Sequence, residues 1–140
     1  MIQEINSILQ NITAKIQALP AFSGWTISAD EYETTPVKQL PVVFVYPQKD
    51  IKEDLDEEWD TGIEKRVLTV AVALRTTGFP VSTTVNPLLD AFCNTIKNDQ
   101  SLSGLAQRVR IHTITWNGEN SGDGQIASAA AILEVIYIAR

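Results

Sequence analysis

At 140 residues with 44% hydrophobic content, the chain has the length of one domain, residues 1–140, which buries about 70% of its unfolded surface and needs no covalent staple. One cysteine, Cys93, excludes an intramolecular disulfide and a cysteine-based zinc site and points to a reducing compartment. A net charge of −6 excludes the clustered basic surface that nucleic acids require, and the lack of a long apolar run or of a basic, apolar leader in "MIQEINSILQ" excludes a membrane partner.

In residues 1–19, Ile2, Ile5, Ile8, Leu9, Ile12, Ile16 and Leu19 recur at spacings of three and four, which predicts an amphipathic helix ending before Pro20. Residues 21–40 carry Gly24, Pro36 and scattered polar residues and read mostly as loop, with one short strand about residues 25–29. "PVVFVYP", residues 41–47, is a β-branched and aromatic run between two prolines and predicts a short strand. The acidic "DIKEDLDEEWD", residues 50–60, follows, with Ile51, Leu55 and Trp59 at spacing four; it reads as a helical turn or a loop.

From Glu64 to Arg75, Leu68, Val70, Val72 and Leu74 alternate with Val67, Thr69, Ala71 and Ala73, and small or apolar residues on both faces predict a central strand. A second helix follows, with Asn86 or Thr84 as its cap, Pro87 in its first turn, and Val85, Leu88, Leu89, Phe92 and Ile96 as its core stripe. In "NDQSLSGLAQRVRIHTITW" the helix ends at Asn98 and Asp99. Leu102 and Leu105 then fold back beneath it as a hydrophobic clasp that Gly104 permits.

The next strand, residues 108–116, sets Val109, Ile111, Thr113 and Thr115 against Arg110, His112, Ile114 and Trp116. "NGENSGDGQ" reads as a flexible hairpin loop, and the last strand, apolar on both faces in "AAAILEVIYIA", belongs deep in the sheet. This order describes an α+β fold: an antiparallel or mixed β-sheet of about four main strands, two helices packed on one face, and a long acidic loop or arm.

Little in the chain carries chemistry. The sole histidine, His112, stands in a strand without a partner set for a catalytic triad, and Cys93 lies beside the core residue Phe92 with no second histidine to activate it. Glycine-rich phosphate loops are missing, and the oxygens of residues 117–125 lack a calcium loop's spacing and its terminal bidentate glutamate. The expectation is a protein that is not an enzyme and takes no cofactor or metal.

The acidic run is the candidate interface. It gathers Asp50, Glu53, Asp54, Asp56, Glu57, Glu58 and Asp60, seven of the seventeen acidic residues, around Trp59. As a solvated loop it needs no explanation. As an interface, Trp59 is the anchor and the carboxylates are the rim, because burying a large aromatic contributes more to association than rim charges do. Lys65, Arg66, Arg75, Arg108, Arg110 and Arg140 are the basic groups that a neighbouring copy would present to it, and such heterologous contacts close into a ring.

"KRVLTVAVALRTT", "NPLLDAFCNTIKND", "DQSLSGLAQRVRI", "WNGENSGDGQ" and "ASAAAILEVIYIAR", together with the initial helix and "LPVVFVYP", resemble the tail terminator (tail completion) proteins of tailed bacteriophages and related contractile particles. The resemblance is one of pattern and covers most of the chain. It implies an α+β sandwich that assembles as a homo-hexameric ring on the end of the tail tube, stops its growth and offers a surface to the head. It further implies, as partners, the tail tube protein and the head–neck connector or sheath proteins, and, as location, the tail of a virion or phage-like particle assembled in the bacterial cytoplasm. The alternatives are a neighbouring neck or tube protein with the same fold, or a small α+β binding or regulatory domain dimerising through an edge strand.

Overall fold

The computed structural model describes residues 1–29, 40–53, 64–121 and 124–139. Helix α1 (Ile2–Gln17) buries Ile5, Ile8, Ile12 and Ile16 along one stripe, as the spacing predicts. A short 3₁₀ turn at Pro20–Phe22 reverses the chain, and the Phe22 ring meets Trp25 edge-on at 5.3 Å. Strand β1 (Thr26–Ser28) then pairs in parallel with the start of β2 (Val42–Lys52).

β2 runs antiparallel to β3 (Glu64–Thr77), β3 to β5 (Gly124–Ala139), and β5 to β4 (Arg108–Ser121), giving one mixed five-stranded sheet in the order β1-β2-β3-β5-β4. The central places of β3 and β5 account for their apolar residues on both faces. Leu68, Val70, Val72 and Leu74 of β3 and Ala127, Ala129, Ala131, Leu133 and Val135 of β5 join both helices in the main core. Val42, Phe44 and Ala73 form a smaller cluster with Leu40, Tyr46 and Ala130 on the opposite face, and no described helix belongs to it. The α+β class with helices on one face is thus the observed architecture.

Several local expectations are corrected. β2 does not stop at Pro47: a bulge between Pro47 and Lys49 absorbs the proline's missing donor, and pairing resumes through Lys52 opposite Arg66. Residues 50–52 are therefore strand, neither loop nor helical turn. Helix α2 (Val81–Asn98) begins a full turn earlier than predicted, after Pro80, so Pro87 lies inside it and neither Asn86 nor Thr84 is its cap. Instead the Thr84 N–H and hydroxyl both donate to the Pro80 carbonyl, at 3.0 and 2.9 Å. The predicted core stripe stands, with Val85, Leu89, Phe92 and Ile96 buried.

The strand alternation after Arg108 also shifts. A bulge between Ile111 and Thr113 leaves His112 without a cross-strand partner, so Val109, Ile111, Ile114 and Trp116 share the helix-side face, opposite Val135, Leu133, Ala131 and Ala129. The predicted flexible loop at residues 117–125 is largely ladder: Asn117 pairs with Ser128 and Ser121 with Gly124. Gly118 sits where this hairpin passes under the start of α2. A Cβ there would lie 2.8 Å from Val81 Cγ2 and 3.1 Å from Phe79 Cζ. Exposed Phe79 can swing away but β-branched Val81 is stiff, so Gly118→Ala is expected to cost about 1 kcal/mol, measured as a lowered denaturation midpoint.

The clasp exists, but one leucine makes it. Leu102 is wholly buried, whereas Leu105 is 39% exposed and Ala106 turns inward in its place. Leu102, Ser103 and Gly104 all take positive φ, at 48°, 59° and 89°, and this left-handed run carries the chain from helix to strand. Asp99 organises the turn: its carboxylate accepts from Lys15 Nζ at 2.7 Å, the Ser103 N–H at 2.9 Å and the Ser101 hydroxyl at 3.1 Å, tying α1 to the end of α2. The Lys15 hydrogen bond, with that of Ser103, holds the carboxyl down to about 2. Because the folded value lies below the unfolded one of about 3.9, the stability it contributes is whole above that pH and is lost as pH falls towards 2. Lys15→Ala is expected to raise the Asp99 midpoint, read by the titration of its carboxyl carbon in NMR.

Candidate assembly surface

Asp50, Arg66 and Tyr137 come from three adjacent strands and project from the helix-side face, because Asp50 pairs with Leu68 and Arg66 with Tyr137 in register. Arg66 Nε donates to Asp50 Oδ2 at 2.5 Å, and the fully buried Tyr137 hydroxyl donates to Asp50 Oδ1 at 2.8 Å. Arg66 Nη1 also donates to Glu64 Oε2 at 2.6 Å. The hydrogen bond to Asp50 pushes the Arg66 guanidinium further into its charged form, while burial, reinforced by Asp50, raises the Tyr137 phenol well above the ordinary tyrosine range.

Around this network Lys52 faces Glu64 at 3.8 Å and Lys65 faces Glu53 at 3.4 Å, and the Glu53 N–H donates to the Lys65 carbonyl at 2.9 Å. Such exposed pairs contribute about 0–1 kcal/mol each, so their main effect is to fix the register where the β2–β3 connection leaves the sheet. Asp54, Asp56, Glu57, Glu58, Trp59 and Asp60 lie outside the described residues, as does Arg140.

The basic residues expected to meet a neighbour's acids are placed differently from one another. Arg66 is taken up by Asp50 of its own chain. Arg75 is only 1% exposed; its guanidinium reaches past Ser128 to a bidentate pair with Glu119, at 3.1 and 3.0 Å, and lowers the Glu119 carboxyl below its ordinary value. It is therefore Glu119, and not an acid of another copy, that meets Arg75. Arg110 is exposed and donates to Glu134 at 2.7 Å, with His112 Nδ1 3.5 Å from the same carboxylate. Arg108 is exposed at the start of β4. Cys93 is half-buried on α2, and burial raises its thiol above the ordinary value, the direction that disfavours the reactive thiolate.

Trp116 is the surface residue that the sequence reading passed over. It stands on the outer strand β4, 52% exposed, with its indole N–H held by Asn86 Oδ1 at 2.9 Å. Alternation alone placed it with Arg110 on the wrong face, and the bulge at His112 corrects that. Beside it Tyr46, Ala73, Thr115, Asn117, Ser128 and Ala130 line a shallow depression of about 180 Å³. A second, about 310 Å³, lies between α1 and the clasp and is lined by Gln3, Glu4, Ser7 and Leu105. Among the described residues no three His, Cys, Asp or Glu side chains are grouped to hold a metal, and no helix is long and apolar enough to cross a membrane.

No protein-family model matches the chain, and no curated protein matches it. A chain in the solved structure titled "Virion of native gene transfer agent (GTA) particle" is similar at a TM-score of 0.44 and 11% identity, with 91% of this chain and 92% of that chain covered.

Proposed function

We propose that this chain is a structural component of a phage-like particle, a tail terminator that caps the tail tube as a ring, ends its polymerisation and presents the surface to which the head or neck attaches. On this reading it acts by shape and self-association, not by turnover. The observation that supports it best is the distribution of cover over the sheet. Among the described residues both helices pack on one face, and the long outer strand β4 pairs on one side alone.

A long edge strand is ordinarily a liability that association removes. The pattern resemblance to tail terminators supplies the kind of association, a ring on the tube end. A cap that stops growth has a direct signature: in cells producing the particle, deleting the gene is expected to yield tubes of uncontrolled length without heads. Tubes of unchanged length bearing heads would overturn the reading.

A further inference from the structure

Folding leaves two large aromatic rings exposed towards the end of β4 and holds one of them in place. The indole N–H of Trp116, its single polar group, already donates to Asn86 Oδ1 of α2 at 2.9 Å, while half of the side chain stays exposed. The ring therefore needs no acceptor from whatever covers it, and its orientation is set beforehand. Phe79, 44% exposed, lies close by: Gly118 follows two residues after Trp116 on the same face of the strand, and a Cβ there would stand 3.1 Å from Phe79 Cζ. Neither ring belongs to the main core.

Charge withdraws from the same place. Charged residues make up 20% of the chain, yet residues 76–89, which carry Phe79 and open α2, and residues 111–118, which carry Trp116, contain no lysine, arginine or carboxylate. Exposed aromatic rings in uncharged surroundings have the composition of an interface core.

A second uncharged surface lies at the other end of α2. The helix opens beside Trp116 and Gly118 and closes on the clasp, so the two surfaces are about 27 Å apart along its axis. Residues 100–107 carry no charge, and the left-handed run turns Leu105 outward, where it lines the depression of about 310 Å³ with Gln3, Glu4 and Ser7. The Glu4 carboxylate meets the Met1 amino group at 2.7 Å, so its charge is answered within the chain. One copy cannot bring its own two ends together, but a neighbour can, and contact between different surfaces of identical copies is the kind that propagates.

We infer that the aromatic end of one copy, Trp116 with Phe79, seats on Leu105 in the depression between α1 and the clasp of the next, and that this head-to-tail contact closes the ring. The inference rests on the ring reading above and names the surfaces that make it. It also gives Leu105 a use: folding leaves this leucine exposed, and the neighbour's indole covers it.

The test uses two variants that each spoil one surface, Trp116→Ala and Leu105→Asp. Circular dichroism checks that both fold, and light scattering over a range of concentration compares them with the unaltered chain. Alone, each variant is expected to need about thirtyfold or more the concentration of the unaltered chain to assemble. Mixed in equal amounts, they are expected to form a dimer and nothing larger, because the intact aromatic end of the Leu105→Asp chain can still seat on the intact clasp of the Trp116→Ala chain. A mixture no more associated than its components overturns the proposal. So does either variant that assembles like the unaltered chain, and the ring reading then stands without this contact. Should Trp116→Ala not fold, Asn86→Ala takes its place: it removes only the acceptor that fixes the indole and is expected to weaken assembly about tenfold, and unchanged assembly overturns the proposal. An unaltered chain that stays monomeric at every concentration overturns this contact and the ring reading together.

Discussion

Replacing Leu102 by alanine is expected to lower the free energy of unfolding by about 2–5 kcal/mol, measured by denaturant titration. Leu102 is wholly buried in the main core, and the left-handed backbone around it can persist only while packing holds it there. Truncation leaves a cavity that a backbone pinned on both sides cannot collapse to fill. On one side Asp99 holds the turn, and on the other the Gln107 N–H donates to the Ile136 carbonyl at 2.8 Å. Leu105→Ala, three residues on and exposed, is expected to change stability by less than about 0.5 kcal/mol. Equal losses at the two positions would contradict the assignment of the clasp to Leu102.

Asp50→Ala is expected to cost about 1.5–3 kcal/mol, because it removes the acceptor of a fully buried phenol and the partner of a mostly buried guanidinium in one step. Tyr137→Phe leaves the Arg66 pair intact and is expected to cost about 0.5–1.5 kcal/mol. The two losses should not add, since both break the same hydrogen bond, and a double-mutant cycle by denaturant titration reads that coupling. The Tyr137 phenol also predicts a pH dependence. Its folded value lies above the unfolded value of about 10, so its contribution is whole below that pH and is lost as pH rises beyond it. Tyr137→Phe should flatten the alkaline side of the stability profile.

What the sequence showed of the fold, it showed through periodicity. Both helix stripes, the central placing of β3 and β5 and the clasp at Leu102 follow from apolar spacing that the core uses directly. The errors fall where a single residue breaks a period. Gln48 and His112 are bulges, one past Pro47 and one in the middle of a strand, and neither has a composition signal that distinguishes it from a continuing ladder. Everything downstream of a bulge changes face, which is why Trp116 was assigned to the wrong side. Leu105 failed for a related reason, since three left-handed residues rotate the chain so that Ala106, not Leu105, meets the core.

Of the candidate surface, the concentration of acid in residues 50–60 was legible, as was the presence of compensating arginines. Their partners were not, because an ion pair such as Arg75–Glu119 depends on strand order, and β5 inserts between β3 and β4 against the order of the sequence. Asp50 likewise meets Tyr137 only because β3 lies between their strands.

The central claim is that this chain works by closing on copies of itself, and its absolute mass in solution tests that most directly. Light scattering after size exclusion, over a range of concentration and salt, is predicted to give a closed assembly at six times the 15.4 kDa of one chain, its mass constant once formed. A mass that stays at one or two chains under every condition would contradict it.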